Sequence, residues 1–270
     1  MKRLAAVLLL SFSGFAVPTL GGVEIETRTR SLDGSSGKTH LTIWVDGDRL
    51  VAEPRKAGSP PSRRRIVYHA DRDLMWFIDH KRETYYQLDP ESAAATASQV
   101  SGLKKDLAAA LEGLDPEMRG KAEKVLGKLD SGEVDPREEV SLRERGELGS
   151  YADIACARYD VLAQEKRVAE LCIADWEATG PAAVTRPLVP AFTRFLRTSL
   201  EPLAKELPIV APLLTWTALD DTSGLPLQTR SYSDDEPDTE TLIKAIREVE
   251  VEPARFELPK GYARSWVPPF

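Results

Sequence analysis

The chain has 270 residues and a formal charge of −7, with 36 Lys and Arg against 43 Asp and Glu. Such an acidic balance gives no general electrostatic reason to bind nucleic acid or an anionic membrane surface. The length is enough for one large core or two small ones.

Lys2 and Arg3 precede an apolar run from Leu4 to Leu10 that continues more weakly to Phe15, with small residues at Gly14 and Ala16. Charged, apolar, then small is the order of an export leader, and the run is shorter than the roughly 20 apolar residues a bilayer span requires. Residues 1–22 are expected to be a signal peptide cut between Ala16 and Gly22. Residues 23–270 then form one exported domain, periplasmic or secreted, with no transmembrane segment. Loss of Lys2 and Arg3 takes the charge from −7 to −9. No cysteine follows the apolar run, so the usual lipid attachment of a bacterial lipoprotein is not available.

From Val23 the pattern is that of consecutive strands. "VEIETRTR" and "THLTIWV" alternate with period two around the turn "DGSSGK". The Asp46–Gly47 pair is the strongest hairpin signal, since a type I′ turn needs positive φ at both central positions. It predicts a register opposing Val45 to Asp48, Ile43 to Leu50 and Leu41 to Ala52. After a Pro-rich loop come "RRIVYHA", "LMWFID" and "TYYQL", which complete a six-stranded antiparallel meander. "DGSSGKT" at 33–39 imitates a phosphate loop, but Gly34 and Gly37 stand too close together and no helix follows.

Residues 69–89, "HADRDLMWFIDHKRETYYQLD", concentrate histidines, acids and aromatics. The acids bracket the apolar residues and do not converge, so they read as turn formers. His69 and His80 should lie at opposite ends of the strand Leu74–Ile78, which argues against a metal site. The run "LMWFI" places bulk on both faces of one strand. One face can be covered by helices. The other requires either a sheet curled over its own core or an apolar cavity.

Val100, Leu103, Leu107, Leu111 and Leu114 fall three or four apart, and Met118, Ala122, Val125 and Leu129 follow after Asp115–Pro116. Both stripes predict helices with those residues inward, a helical insert over 91–130. Strands resume near Val140. Cys156 immediately precedes "ARYDVL" and Cys172 lies in "RVAELCIADW", two alternating segments joined by "AQEK". Folding about Gln164 sets the two cysteines opposite each other on one face of a hairpin, within reach of a disulfide. A helix follows on Leu188, Phe192, Phe195, Leu196, Leu200 and Leu203, with Pro202 expected to end or kink it. "LPLQTRSY", "TLIKAIREVEV" and "RFELPKGY" read as three closing strands. The order of elements excludes a sustained strand–helix–strand alternation and predicts an α+β fold, one large antiparallel sheet with helices gathered on one side.

The segments "LTIWVDGDRLVAE", "IVYHADRDLMWFIDHKRETYYQL", "LEGLDPEMRGKAEKVLGKL", "ACARYDV…VAELCIADW" and "FELPKGY" resemble those of a family of exported bacterial domains of unknown function. That family is similar in turn to the LolA/LolB type of periplasmic lipoprotein carrier. The resemblance implies a half-barrel, a strongly curved antiparallel sheet with helices on its concave side, and a hydrophobic ligand pocket. It supplies no catalytic residues. No G-x-S-x-G element occurs and only three histidines are present, so no nucleophile, cofactor or metal is expected and the chain reads as non-catalytic. The expected ligand is a hydrophobic small molecule or lipid held against Trp44, Tyr68, Met75, Trp76, Phe77 and Tyr86. The competing expectation is a structural or interaction protein with a filled core, docking on an envelope protein partner.

Overall fold

The computed structural model describes residues 21–32, 38–56, 63–113, 115, 118–120, 140–206, 224–233 and 236–265. Residues 1–20 of the expected signal peptide, residues 33–37 of the phosphate-loop imitation at 33–39 and most of the second insert helix lie outside the described residues.

Twelve strands form one open sheet in the order β12-β6-β5-β4-β3-β2-β1-β11-β10-β9-β8-β7. They are β1 (Gly22–Ser31), β2 (Lys38–Asp46), β3 (Arg49–Lys56), β4 (Arg64–His69), β5 (Leu74–Asp79), β6 (Thr84–Leu88), β7 (Val140–Tyr151), β8 (Ile154–Ala163), β9 (Lys166–Asp175), β10 (Gly224–Ser233), β11 (Glu236–Val249) and β12 (Ala263–Ser265). The six-stranded meander is present as the alternation predicts. All pairs are antiparallel except β12 with β6. Among the described residues the long helices are α1 (Pro90–Glu112) and α2 (Leu188–Glu206), with a 3-10 segment at Trp176–Thr185.

Three local expectations are corrected. At the β2–β3 hairpin the two-residue loop is Gly47–Asp48, so Val45 faces Leu50 and Ile43 faces Ala52. Only Gly47 of that pair has positive φ, which removes the need for a second left-handed residue. The register moves by an even number of residues, and the apolar face therefore survives intact. Of the two outcomes expected at Pro202, an end to the helix is excluded, since α2 contains it and runs on to Glu206. "RFELPKGY" is not a strand: Pro253–Phe256 is a 3-10 turn, and only Ala263–Ser265 beyond it joins the sheet.

One helix reveals the curvature. Tyr68 and Met75 of β4 and β5 share an apolar cluster with Phe195, Leu196, Leu200 and Leu203 of α2. Ala163 of β8 belongs to the same cluster. Seven strand spacings separate β4 from β8, about 34 Å if the sheet were flat, whereas a helix is about 10–12 Å across. The sheet must therefore bend around α2. Residues facing α2 line the concave side.

The sheet edges are unlike. β12 is three residues long, too short to template another strand. β7 is twelve residues long and largely exposed, but its ladder to β8 breaks between Glu144 and Leu148 around Gly146 at φ 70°. Bulges and charged side chains of this kind blunt an edge against pairing with a second chain.

Candidate functional site

Cross-strand register sorts the aromatic residues into two sets. Val45, Leu50, Tyr68, Met75 and Leu88 are successive partners across β2 to β6, and Ile43, Ala52, Ile66, Phe77 and Tyr86 form the next row on that face. This is the concave face, covered by α2. Trp44, Val51, Val67 and Trp76 form a row on the opposite face. Of the six residues expected to line one pocket, Tyr68, Met75, Phe77 and Tyr86 are brought together. Trp44 and Trp76 are not.

The covering of the second face was not anticipated. Neither curling nor a cavity keeps Trp76 dry. The chain after β11 crosses that face, and Val251 and Phe256 pack with Val51, Val67, Trp76 and Ile78. Polar contacts pin this strap. The His69 ring, 2% exposed, donates from Nε2 to the Phe256 carbonyl at 3.0 Å. His80 Nδ1 shares a hydrogen bond with the Tyr262 hydroxyl at 2.9 Å. Arg255 lies over the Trp44 ring at 4.1 Å, and Arg49 over Phe256 at 4.6 Å. The two histidines thus hold opposite ends of the strap, each with its own partner. Burial and the neighbouring Arg65 guanidinium hold the His80 imidazole below its ordinary pKa range.

On the concave side α2 presents the stripe its spacing predicts, with Leu188, Phe195, Leu196, Ser199, Leu200 and Leu203 buried. The Tyr68 ring sits 5.2 Å from Phe192 and 5.1 Å from Phe195. Those separations are within the range of favourable edge and tilted aromatic pairs. Among the described residues two hydroxyls in this interior have no partner, Tyr68 Oη and Ser199 Oγ. Burial, with the nearby Asp73 carboxylate, pushes the Tyr68 phenol well above its ordinary range, so it stays a neutral donor.

α1 is placed by its cap. Asp89 accepts from the Ser92 amide at 2.7 Å while Ser92 Oγ accepts from the Asp89 amide at 2.9 Å, a reciprocal box that fixes the first turn. Ala93 and Ala97 are buried with the concave cluster. Further along, Leu103 and Leu107 are exposed where the stripe predicts burial, while Leu111 is buried. α1 rests mainly on α2 and meets the sheet at β6.

Two cavities lie away from this interior. One of about 290 Å³ lies between α1, β6 and β12, with Tyr86, Gln87, Asp89, Thr96, Gln99 and Arg264 in its wall. The other, about 510 Å³, lies between the β7–β8 turn, Ala178–Pro181 and Lys244–Arg247 of β11. Tyr86 alone of the six aromatic-set residues reaches either. No described helix is long and apolar enough to cross a membrane.

The disulfide Cys156–Cys172 is present, with Cα atoms 5.3 Å apart. Its register is not the simple one. Cys172 faces Arg158, because a bulge between Val161 and Leu162 displaces the pairing. Gly149 lies opposite Cys156, and a Cβ there would come within 2.7 Å of Cys172 Sγ, which explains glycine at that position.

No protein-family model matches this chain, and no curated protein does. Similar solved structures include an uncharacterised conserved protein from Thermus thermophilus, at TM-score 0.46 and 8% identity, covering 91% of this chain and 90% of the other. PNGF-II is similar at TM-score 0.40 and 8% identity, over 91% of this chain and 30% of the other. A LolA superfamily protein from Nitrosomonas europaea is similar at TM-score 0.28 and 8% identity, over 90% of both chains. Scores this low pass no function to this chain.

Proposed function

We propose that the chain is an exported, non-catalytic binding module that holds a hydrophobic ligand such as a lipid or acyl chain between its curved sheet and α2. The observation that carries this reading is the way the hollow is filled. Among the described residues the amphipathic α2 occupies the concave face of an open sheet, and α1 leans on that helix more than on the sheet. The two helices can leave together as one flap, exposing Tyr68, Met75, Phe77 and the apolar rows beside them. A ligand chain would then replace α2 side chains at about 25 cal/mol per Å² of apolar surface kept from water. The unpartnered hydroxyls of Tyr68 and Ser199 offer hydrogen bonds that no protein group uses in the closed form. The N-terminal leader pattern and the disulfide support export.

Native mass spectrometry of protein purified from its host compartment should show a bound hydrophobic species, and a fluorescent fatty acid should bind in competition with it. A second reading rests on the packing itself. Tyr68 and Phe195 are fully buried against each other, which suits a structural or interaction protein with a filled core. Ligand-free protein that ignores the fatty-acid probe, together with a protein neighbour in cellular crosslinking, would decide for that reading.

A further inference from the structure

A polar pair stands where β4 turns into β5. Tyr68 is next to last in β4, and the 3-10 turn Ala70–Arg72 leads from there to β5. Asp73 ends that turn in the left-handed conformation, φ 45°, two residues before Met75, the cross-strand partner of Tyr68. The turn is tied to the β2–β3 hairpin, where the Ala70 amide donates to the Asp48 carbonyl at 2.9 Å. It also packs against α2.

Asp73 Oδ1 is shielded from water and, like Tyr68 Oη, has no partner among the described residues. Two charges act on the Tyr68 phenol, the Asp73 carboxylate more strongly and the Arg194 guanidinium less. Arg194 is exposed on α2, so water and salt screen it. The Asp73 oxygen has no such screen. Phenol and carboxylate are thus neighbours that do not bond each other.

Chemistry decides what can sit between them. The buried phenol is neutral and has one proton to donate, while a carboxylate only accepts. A guest that satisfies both must accept from Tyr68 and donate to Asp73. A hydroxyl does both. An ester oxygen accepts but has no proton to give, and an ionised fatty acid adds a second negative charge besides. Both protein groups belong to the sheet and its turn, so the pair remains built when α2 moves away.

We infer that Tyr68 and Asp73 form the head-group subsite of the concave interior, and that it selects acyl lipids with a neutral hydroxyl head, such as fatty alcohols and monoacylglycerols, over ionised fatty acids. This assignment rests on the binding reading above and narrows it. With the head at Tyr68, the chain runs from Met75 across the row of Phe77 and Tyr86. A fatty acid keeps the bond from Tyr68 and binds more weakly.

Displacement of a fluorescent fatty acid from the full chain is the test, at about pH 8, where a free carboxylic acid is ionised. The competitors are hexadecanol, methyl hexadecanoate and hexadecanoate. A hydrogen bond to a charged group is worth about tenfold, so hexadecanol should bind about tenfold more tightly than the ester, with the acid weakest. Asp73→Asn should strengthen binding of the acid about tenfold and cancel the preference, because the new amide donates to a carboxylate. Asparagine tolerates the left-handed conformation, so the turn is kept. Asp71→Asn, in the same turn but half-exposed and paired with Arg72, should leave the ratio as it is. Each readout is a ratio between competitors on one protein, which a general loosening of the fold does not move. Equal affinity for the three competitors, a ratio untouched by Asp73→Asn, or an equal shift in Asp71→Asn would overturn the subsite and leave the binding reading standing. Failure of the fluorescent fatty acid to bind at all would remove the binding reading and the subsite with it.

Discussion

The two halves of this sheet are held by different physics. From β2 to β6 each face carries an apolar cluster, one under α2 and the other under the strap that ends in β12. From β11 to β7 the face away from α2 is held by a disulfide and a lattice of arginines on buried carboxylates. The first half depends on area removed from water, which is insensitive to redox state. The second depends on a covalent link and on ionisation. Conditions that leave one half intact should therefore loosen the other, and each of the following tests presses on one side of that contrast.

The largest effect is expected on the apolar side. Phe195 is fully buried and meets the Tyr68 ring, so Phe195→Ala should cost about 4 kcal/mol through lost transfer energy and the cavity it leaves. The midpoint of urea unfolding measures it. A loss under about 1 kcal/mol would mean that α2 is loosely seated, and the contrast between the halves would dissolve.

Next comes the staple. Cys156→Ser with Cys172→Ser opens a link between residues 16 apart and should lower stability by about 3 kcal/mol in the chain-entropy account. Phe195→Ala should remain equally damaging in oxidised and reduced protein, since the two sites share no partner and distant effects add. Strong coupling between them would show that the halves are not separate.

Acid should separate the halves in two steps. His80, on the strap side, has a folded pKa below its ordinary 6.5. A lowered folded value means that its contribution is complete above about 6.5 and is lost as pH falls through the folded value. Glu240 behaves alike at lower pH. Burial alone would raise its carboxyl, but the bonds from Arg230, Gln228 and Arg30 outweigh that and hold it below 4.5. Its contribution is complete above about 4.5 and disappears as pH falls through the folded value. The urea midpoint should thus fall first on the acid side of neutrality and again in stronger acid. Glu240→Gln should remove the second step only, and His80→Gln the first only.

The sequence made the first half legible because period-two alternation and tight turns are local signals. Six strands, the disulfide and the α2 stripe were all readable that way. Their partners across the chain were not. "LMWFI" announced two covered faces, yet nothing local says that residues 250–262 provide the second cover. Strand adjacency alone likewise groups Trp44 and Trp76 with Tyr68, whereas alternation along each strand puts the two tryptophans on the opposite face. The arginine lattice left no sequence trace, because its members come from separate strands, and only the cross-strand register brings Arg30, Glu240 and Glu170 together. Leu103 and Leu107 obey a helical period without a covering surface, so periodicity established the helix but not its partner.

The smallest effect is the most informative about the concave side. Ser199 Oγ and Tyr68 Oη are buried with no partner, so each hydroxyl carries a desolvation cost that nothing in the closed form returns. Ser199→Ala and Tyr68→Phe should therefore leave stability unchanged or raise it by about 1 kcal/mol each. On the charged side the opposite holds, because Glu240 has every bond it needs and loses by any substitution. If the hydroxyls serve a ligand, the same two variants should weaken fatty-acid probe binding while the free protein becomes no less stable. Destabilisation of the free protein by either variant would mean that the hydroxyl already has a partner, such as an ordered water, and the concave interior would then be a finished core with nothing reserved for a guest.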